Sequence, residues 1–170
     1  SVTIAADRTL TLDLNGKTLS AGKASEALTV TGHLTIDDTS AAKSGRVVGD
    51  GRYAVYMNNR TAHVGEAAVG GSLTLNAGSL EGATYGVYIL ANQAAFTMNG
   101  GKVSATKEES IRVNNDYHAK TISLLGGEVG NVFLGSISST ELTTLTVGKA
   151  DRAHLRNSPE RRCRCHDARR

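Results

Sequence analysis

The stretch SLTLNAGSL, residues 72–80, returns 23 residues later as AFTMNGGKV, residues 95–103. Each copy first alternates apolar residues with small or hydroxyl-bearing ones, and then has a glycine, Gly78 or Gly101, three residues after Leu75 or Met98. A period of two indicates a β-strand with one buried face, and the Asn- and Gly-containing segment that follows indicates a turn. The pair therefore predicts a strand–turn–strand unit that is repeated along the chain.

Three short frames recur in a constant order. The first has a Thr or Ser between two apolar residues, with Thr11, Thr35, Thr74, Thr97, Ser123 and Thr146 at its centre. The second begins at Gly16, Gly45, Gly78, Gly101 and Gly127. The third is centred on Thr29, Tyr56, Tyr88, Arg112 and Phe133. Copies of the first frame are 24, 39, 23, 26 and 23 residues apart, so the long step predicts an inserted loop around residues 59–71.

Three strands per period predict a coil, because one coil cannot bury its own apolar residues but stacked coils can. We therefore expect an all-β fold, a parallel β-helix with three strands per coil, three sheets and about six coils. The predicted inward stacks are Leu10, Leu34, Leu73, Phe96, Ile122 and Leu145 in one sheet, and Val55, Val87, Ile111 and Val132 in another. An antiparallel sandwich is the alternative, but it does not explain the constant strand order.

The charge of the chain is distributed unevenly over its 170 residues. Residues 1–148 contain 11 Lys and Arg against 13 Asp and Glu, a net charge of −2, whereas residues 149–170 contain 8 against 3, a net charge of +5. This break predicts a β-helix domain over residues 1–148 and a basic tail over residues 149–170 that is disordered or non-native, or an arm for an anionic partner. The slightly acidic body argues against nucleic-acid binding. No apolar run has the length of a membrane span, so no membrane insertion is expected.

The tail also contains the only cysteines of the chain, in the sequence Cys163-Arg-Cys165-His166. These three side chains are candidate zinc ligands, although a structural zinc site normally uses four ligands in two separated pairs. The alternative is a tail that binds no metal.

Four segments of the first two coils carry a family resemblance: LDLNGKTL at 12–19, LTV at 28–30, LTIDDTS at 34–40 and GRV at 45–47. They resemble the opening coils of right-handed parallel β-helix modules of the pectin-lyase-like superfamily, over residues 1–148. The resemblance implies a right-handed coil in a secreted or surface-attached bacterial protein. Many such modules are non-catalytic and adhesin-like. The chain begins inside the pattern, which suggests a fragment or a mature domain.

Most aromatic residues are predicted to share one outward surface with an arginine. We call this surface the aromatic face, and its members are Tyr53, Tyr56, Tyr85, Tyr88, Arg112 and Phe133. Tyr and Arg are enriched in the anchors of interfaces, and Arg can contact aromatic rings through cation–π interactions. This face is a candidate for glycan stacking or for self-association into a homodimer. The alternative is that the loop around residues 59–71 folds over it.

Catalysis depends on one weak set of candidates, Asp13, Asp37 and His33. Enzymes of the pectin-lyase-like superfamily use grouped acidic residues, often with calcium, so the resemblance implies that these residues could serve a lyase or hydrolase of acidic polysaccharides. Two adjacent carboxylates could perform acid–base chemistry or hold calcium. The alternative is structural use in turns, since Asn76 and Asn99 continue the same column. Apart from calcium, no cofactor is predicted.

Two further outward columns have alternative interpretations. The column through Thr11 and Thr74 is a hydroxyl ladder, either a consequence of β-propensity or an array that orders water as on ice-binding β-helices. A mildly basic column is predicted from Lys17, Arg46, Ser79, Lys102 and Glu128. It is a solvated face or a site for acidic polysaccharide.

Together these patterns predict a non-catalytic, secreted or cell-surface module that binds glycan or protein surfaces. A homodimer is expected, formed through the aromatic face or through an open end of the coil, where strand edges are unprotected. A polysaccharide lyase or hydrolase and an ice-binding protein are the alternatives.

Overall fold

The computed structural model describes residues 1–58, 71–91, 93–114, 120–135 and 143–148, together with the backbone of residues 152–155. Its regular elements are all β-strands. In chain order they are β1 (Val2–Ile4), β2 (Thr9–Asp13), β3 (Thr18–Ser20), β4 (Glu26–Val30), β5 (His33–Asp37), β6 (Arg46–Gly49), β7 (Tyr53–Met57), β8 (Ser72–Leu75), β9 (Ser79–Gly82), β10 (Tyr85–Ile89), β11 (Ala95–Met98), β12 (Lys102–Ala105), β13 (Ile111–Val113), β14 (Thr121–Leu124), β15 (Glu128–Leu134), β16 (Thr144–Val147) and β17 (Arg152–Leu155).

Every strand pair is parallel, and like residues of successive coils lie side by side. The first face of the coil orders its strands β16-β14-β11-β8-β5-β2, which places the six hydroxyl residues of the first frame in one register column. The predicted parallel β-helix is confirmed, and the antiparallel sandwich is excluded. Crossovers between parallel strands are right-handed in nearly all proteins, and the arrangement is consistent with a right-handed coil.

The three faces form two sheets rather than the three that the sequence predicts. The second face (β3, β6, β9, β12, β15) and the third face (β1, β4, β7, β10, β13, β15) share β15, and so they join into one 11-stranded sheet. Strand β15 runs from one face to the other through an irregularity between Val129 and Asn131, where the earlier coils have a turn. The first face has six strands, but the second has five, so the solenoid has about five complete turns.

The core consists of inward columns whose middle members are completely buried. Leu73, Phe96 and Ile122 have no exposed side-chain surface on the first face, and neither do Val55 and Val87 on the third. Burying one such side chain stabilises the fold by about 1.5–3 kcal/mol. Stacked Val, Ile and Leu therefore hold the coils together.

Glycine is required at the corner that follows the first face. Gly78, Gly101 and Gly127 all have positive φ, at 84°, 79° and 87°. A Cβ at Gly101 would lie 2.4 Å from the carbonyl oxygen of Gly78 on the coil below, and so the corner excludes any side chain there. The glycine of the second frame thus both turns the chain and lets adjacent coils approach.

The predicted basic column is wrong at its first member. Thr18, not Lys17, pairs with Arg46, because the first corner contains two consecutive left-handed residues, Asn15 and Gly16, and has one further residue, Lys17, before β3, whereas Gly45 directly precedes β6. Its other members are in register as predicted. Lys102 pairs with Glu128 at 3.0 Å, an exposed contact of the kind that contributes little to stability.

Strand β17 lies beyond Gly148 and adds one more parallel strand to β15. The rest of the predicted tail, including Cys163, Cys165 and His166, lies outside the described residues, and the domain boundary stays a prediction. Residues 59–70 of the predicted loop also lie outside them. In the part of the chain that the structure describes, no helix reaches the length and apolarity that would let it cross a membrane.

Candidate functional site

The third face of the coil carries two outward columns. The first contains Glu26, Tyr53 and Tyr85 in register on β4, β7 and β10. The second contains Thr29, Tyr56, Tyr88, Arg112 and Phe133 on β4, β7, β10, β13 and β15. Alternation places Val55 and Met57 inward, so Tyr56 between them must point outward. The predicted composition and register of this ladder are therefore found in the structure.

Tyr53, Tyr56, Tyr85 and Tyr88 form one tyrosine cluster. Tyr53 stacks on Tyr85 with ring centroids 5.6 Å apart and an interplanar angle of 5°, and Tyr56 stacks on Tyr88 at 5.4 Å and 11°. The contacts between the two stacks are tilted, with centroids 5.1–5.5 Å apart. Offset-stacked and tilted rings at such distances attract each other by about 0.5–1.5 kcal/mol per pair beyond area burial. The four rings are thus held in fixed positions.

The two columns differ in exposure. Tyr53 and Tyr85 are only 5% and 9% exposed, although they were predicted as part of a presented face. Tyr56, Tyr88, Arg112 and Phe133 are half-buried. Tyr53 and Tyr85 therefore form the buried part of the aromatic face. The surface that a partner would meet is supplied by the second column, which contains Tyr56, Tyr88, Arg112 and Phe133.

Two arginines extend the ring stacks. The guanidinium of Arg112 lies 4.5 Å from the Phe133 ring centroid and 5.3 Å from that of Tyr85, and its Nη1 is 3.3 Å from Glu109. The guanidinium of Arg52 lies 4.9 Å from the Tyr53 ring centroid. A guanidinium held between rings and a carboxylate is oriented before any ligand arrives, and such cation–π contacts contribute about 0.5–2 kcal/mol.

The phenol of Tyr85 is bonded as well as buried. Its hydroxyl donates a hydrogen bond of 2.6 Å to Glu108 Oε2. Burial and this hydrogen bond, which stabilises the neutral phenol, raise the pKa of Tyr85 to about 12. Burial also raises the pKa of Tyr53. Both phenols therefore stay neutral in the folded protein well above neutral pH.

The predicted catalytic carboxylates lie at a corner of the first face. Asp13 and Asp37 are register partners on β2 and β5, as predicted. Asp13 accepts hydrogen bonds from the hydroxyl and amide of Thr39, at 2.6 and 2.9 Å, and these bonds lower its pKa. Asp37 Oδ1 accepts the amide of Asp38 at 2.7 Å. Both carboxylates therefore have local hydrogen-bond partners in the turn, as expected if these residues stabilise the turn and do not serve catalysis.

Asp38, the neighbour that was not a candidate, anchors this corner. Its side chain is fully buried and accepts hydrogen bonds from the amides of Gly16, Ser40 and Gly45. Burial alone would raise the pKa of Asp38, but the hydrogen bonds outweigh it and lower that pKa to about 2. Asp38 is thus an anion at neutral pH, and it holds the first and second corners together.

His33 is not close to this corner. It begins β5, and Asp37 ends it, so the two residues are separated by about 13 Å at the usual rise of a strand. Its Nδ1 lies 2.8 Å from the hydroxyl of Ser72 on the next coil. The structure therefore brings Asp13 and Asp37 together and leaves His33 apart. Within the described ranges, no group of three or more His, Cys, Asp or Glu residues is placed to hold a metal ion.

Arg52 and Glu108 contact the aromatic face but were not among its predicted members. Arg52 directly precedes Tyr53, and an arginine beside an aromatic repeat could have indicated the contact. Glu108 lies 23 residues from Tyr85, and only the stacking of β10 against β13 brings them together.

Comparisons with protein-family models, with curated proteins and with solved structures found no match. By its structure, the chain is an all-β parallel solenoid.

Proposed function

We propose that this chain is a non-catalytic binding module of a secreted or cell-surface protein, and that its aromatic face binds a glycan or the surface of another protein. Its resemblance to the pectin-lyase-like superfamily supports the bacterial, adhesin-like setting. The observation that carries the proposal is the tyrosine cluster, with Arg112 fixed between Tyr85 and Phe133.

Rigidity makes this surface suited to binding. Rings that are already packed against one another lose little conformational entropy when a partner arrives, and so more of the contact energy appears as affinity. Tyr88 and Phe133 offer partly exposed apolar area, and Arg112 offers oriented N–H donors beside it. Tyr and Arg in such settings are the residues that most often dominate interface energies.

The charges around the face favour a partner that is not strongly anionic. Glu26, Glu108 and Glu109 carry three negative charges, whereas Arg52 and Arg112 carry two positive ones. Glu109 and Glu108 are already bonded to Arg112 and Tyr85. A neutral glycan or a protein surface meets no net repulsion here, whereas a polyanion does.

A binding screen tests the proposal. The 170-residue chain is applied to a glycan array and to intact bacterial and host-cell surfaces, beside Tyr88→Ala. We expect the wild type to bind and Tyr88→Ala to lose at least about tenfold in affinity, the scale of a hot-spot truncation. The matched control is Thr97→Ala, an outward, half-buried residue on the first face. Retained binding in Tyr88→Ala, or an equal loss in the control, would contradict the site.

The enzymatic alternative is tested by the same protein. Pectic and alginate-type polymers are incubated with the chain, with and without calcium, and products are followed by absorbance and by reducing ends. We expect none. Turnover that Asp37→Asn abolishes would replace our proposal with a lyase or hydrolase.

A further inference from the structure

The tyrosine cluster contains the side chains of the solenoid that are most open to one-electron oxidation. The sequence has no Trp, and its cysteines, Cys163 and Cys165, lie outside the described residues. The sulfur atoms of Met57 and Met98 are shielded, because these side chains are 0% and 1% exposed. Over the described ranges, the phenols of the cluster are therefore the first groups that a dissolved oxidant of this kind meets.

One stack of the cluster, Tyr56 on Tyr88, joins two coils. The two residues are register partners on β7 and β10, and their rings lie 5.4 Å apart between centroids with an interplanar angle of 11°. The unpaired electron of an oxidised phenol lies in the π system, whose lobes stand above and below the ring. Two such radicals form a bond most directly when their ring faces meet, and this stack already has that arrangement.

Exposure separates this stack from the other one. Tyr56 and Tyr88 are half-buried, whereas Tyr53 and Tyr85 are only 5% and 9% exposed. Bond formation draws two rings from van der Waals contact to covalent distance, and a close-packed interior resists that movement. Ring contacts between the stacks, with centroids 5.1–5.5 Å apart, let an electron pass among the four rings. The bond should therefore form at the pair that has room to move.

We propose that the stack of Tyr56 on Tyr88 is an oxidative cross-linking site, at which a peroxide-dependent one-electron oxidant, such as a haem peroxidase, joins the two rings in a dityrosine bond. The bond links β7 to β10, and so it joins two adjacent coils covalently. Like a disulfide, a cross-link between residues far apart in sequence restricts the unfolded chain and thereby stabilises the fold. This inference is independent of the partner proposed for the aromatic face.

The reaction balances with peroxide as the oxidant. Each tyrosine gives one electron to the oxidant and its hydroxyl proton to water, which leaves two phenoxyl radicals. The new bond joins the two ring carbons that lie beside the hydroxyl-bearing carbons. Each of these carbons then loses its hydrogen as a proton, and each phenolic oxygen regains one. In total, two tyrosines lose two hydrogen atoms, and one hydrogen peroxide is reduced to two molecules of water.

Mass spectrometry of the oxidised full chain tests the proposal. The thiols are alkylated first, because thiolates react readily with oxidants, and the protein is then treated with a haem peroxidase and hydrogen peroxide. We expect a monomer that has lost the mass of two hydrogen atoms and shows dityrosine fluorescence. Trypsin cleaves after Arg52, Arg60 and Lys102, so the cross-link should join peptide 53–60 to peptide 61–102. Absence of this peptide pair, or cross-links formed only between chains, would overturn the proposal.

Four single substitutions identify the rings that form the bond. A change from Tyr to Phe keeps the ring in place but removes the hydroxyl that radical formation needs. Tyr56→Phe and Tyr88→Phe should each lose the cross-link between the two peptides. The matched variants Tyr53→Phe and Tyr85→Phe, which alter the buried stack within the same two peptides, should keep it.

The opposite pattern would overturn the assignment to the half-buried stack. That pattern is a cross-link that survives in Tyr88→Phe, or one that is lost in Tyr53→Phe or Tyr85→Phe. Tyr117 is the remaining tyrosine of the chain, and loss of the cross-link in Tyr117→Phe would count equally against the proposal. Circular dichroism of each variant shows that its strands are kept, so that a lost cross-link reflects the missing hydroxyl and not unfolding.

Discussion

Tyr56 and Tyr88 occupy the same register position on adjacent strands, with ring centroids 5.4 Å apart and planes 11° apart. Each lies between two buried apolar neighbours, so the core fixes the backbone that carries the ring. In a parallel solenoid, equivalent positions of successive coils lie next to each other. Aromatic residues at the same outward position of two adjacent coils therefore form a stacked pair. The properties of the aromatic face follow from this arrangement and can be measured.

The phenol of Tyr85 should ionise at a higher pH than a free tyrosine, and the fold should lose stability at alkaline pH as a result. Its folded pKa is about 12 against 10.0 for a free phenol, so its contribution to stability is complete below pH 10 and is lost as pH rises from 10 through 12. We expect the thermal midpoint of the wild type to fall over that range and the fall to be smaller in Tyr85→Phe. Ultraviolet titration of tyrosinate provides an independent measurement. Ionisation of all tyrosines together near pH 10 would contradict the buried, hydrogen-bonded phenol.

Asp38 should make the fold sensitive to acid. Its pKa is lowered from 3.8 to about 2, so its contribution is complete above pH 4 and is lost as pH falls through 2. Asp38→Asn removes the anion that three amides bind, and we expect a lower thermal midpoint at neutral pH and a weaker dependence on acid. Asp7→Asn is the control, because Asp7 is 73% exposed and its contact is with Arg8 on the surface. Equal effects of the two substitutions would argue against Asp38 as the anchor of the corner.

Phe96 should be among the most costly residues to truncate. Among the residues that the structure describes, it is the largest of the fully buried side chains, and Phe96→Ala should lower the free energy of unfolding by about 3–5 kcal/mol. Thr97→Ala, one residue away and outward, should change it by no more than about 0.5 kcal/mol. Urea denaturation followed by circular dichroism measures both. A loss below about 1 kcal/mol at Phe96 would contradict the inward column.

Gly101 should tolerate no side chain, in contrast to another left-handed glycine. Gly22 has a φ of 58°, and no atom lies within 4 Å of the position that a Cβ would take there, so Gly22→Ala should cost only the backbone strain, about 1–2 kcal/mol. Gly101→Ala adds a contact of 2.4 Å with a backbone oxygen, which should cost about 1–3 kcal/mol more. Denaturation curves of the two variants give the difference directly. Equal losses would show that the coils at this corner move apart easily.

Much of this molecule could be predicted from the amino-acid sequence because its signals are local and repeated. Alternation about Thr35, Thr74 and Thr97 identified the strands of the first face, since side chains of a strand alternate between its two faces. Repetition of the frames then predicted parallel coils, and with them the outward ladder from Tyr56 to Phe133. Asp13 and Asp37 were correctly expected to be neighbours for the same reason.

Tertiary structure decided what depends on corner length and on side-chain packing between coils. It buried Tyr53 and Tyr85, brought Glu108 to the Tyr85 hydroxyl, and made Asp38 the anchor of the first corner. It also joined two faces through β15 and placed Thr18 where Lys17 was expected. Periodicity determines which face a residue belongs to, because that depends only on its place in a strand. Exposure, hydrogen-bond partners and pKa depend on neighbours from other coils, which only the folded chain brings together.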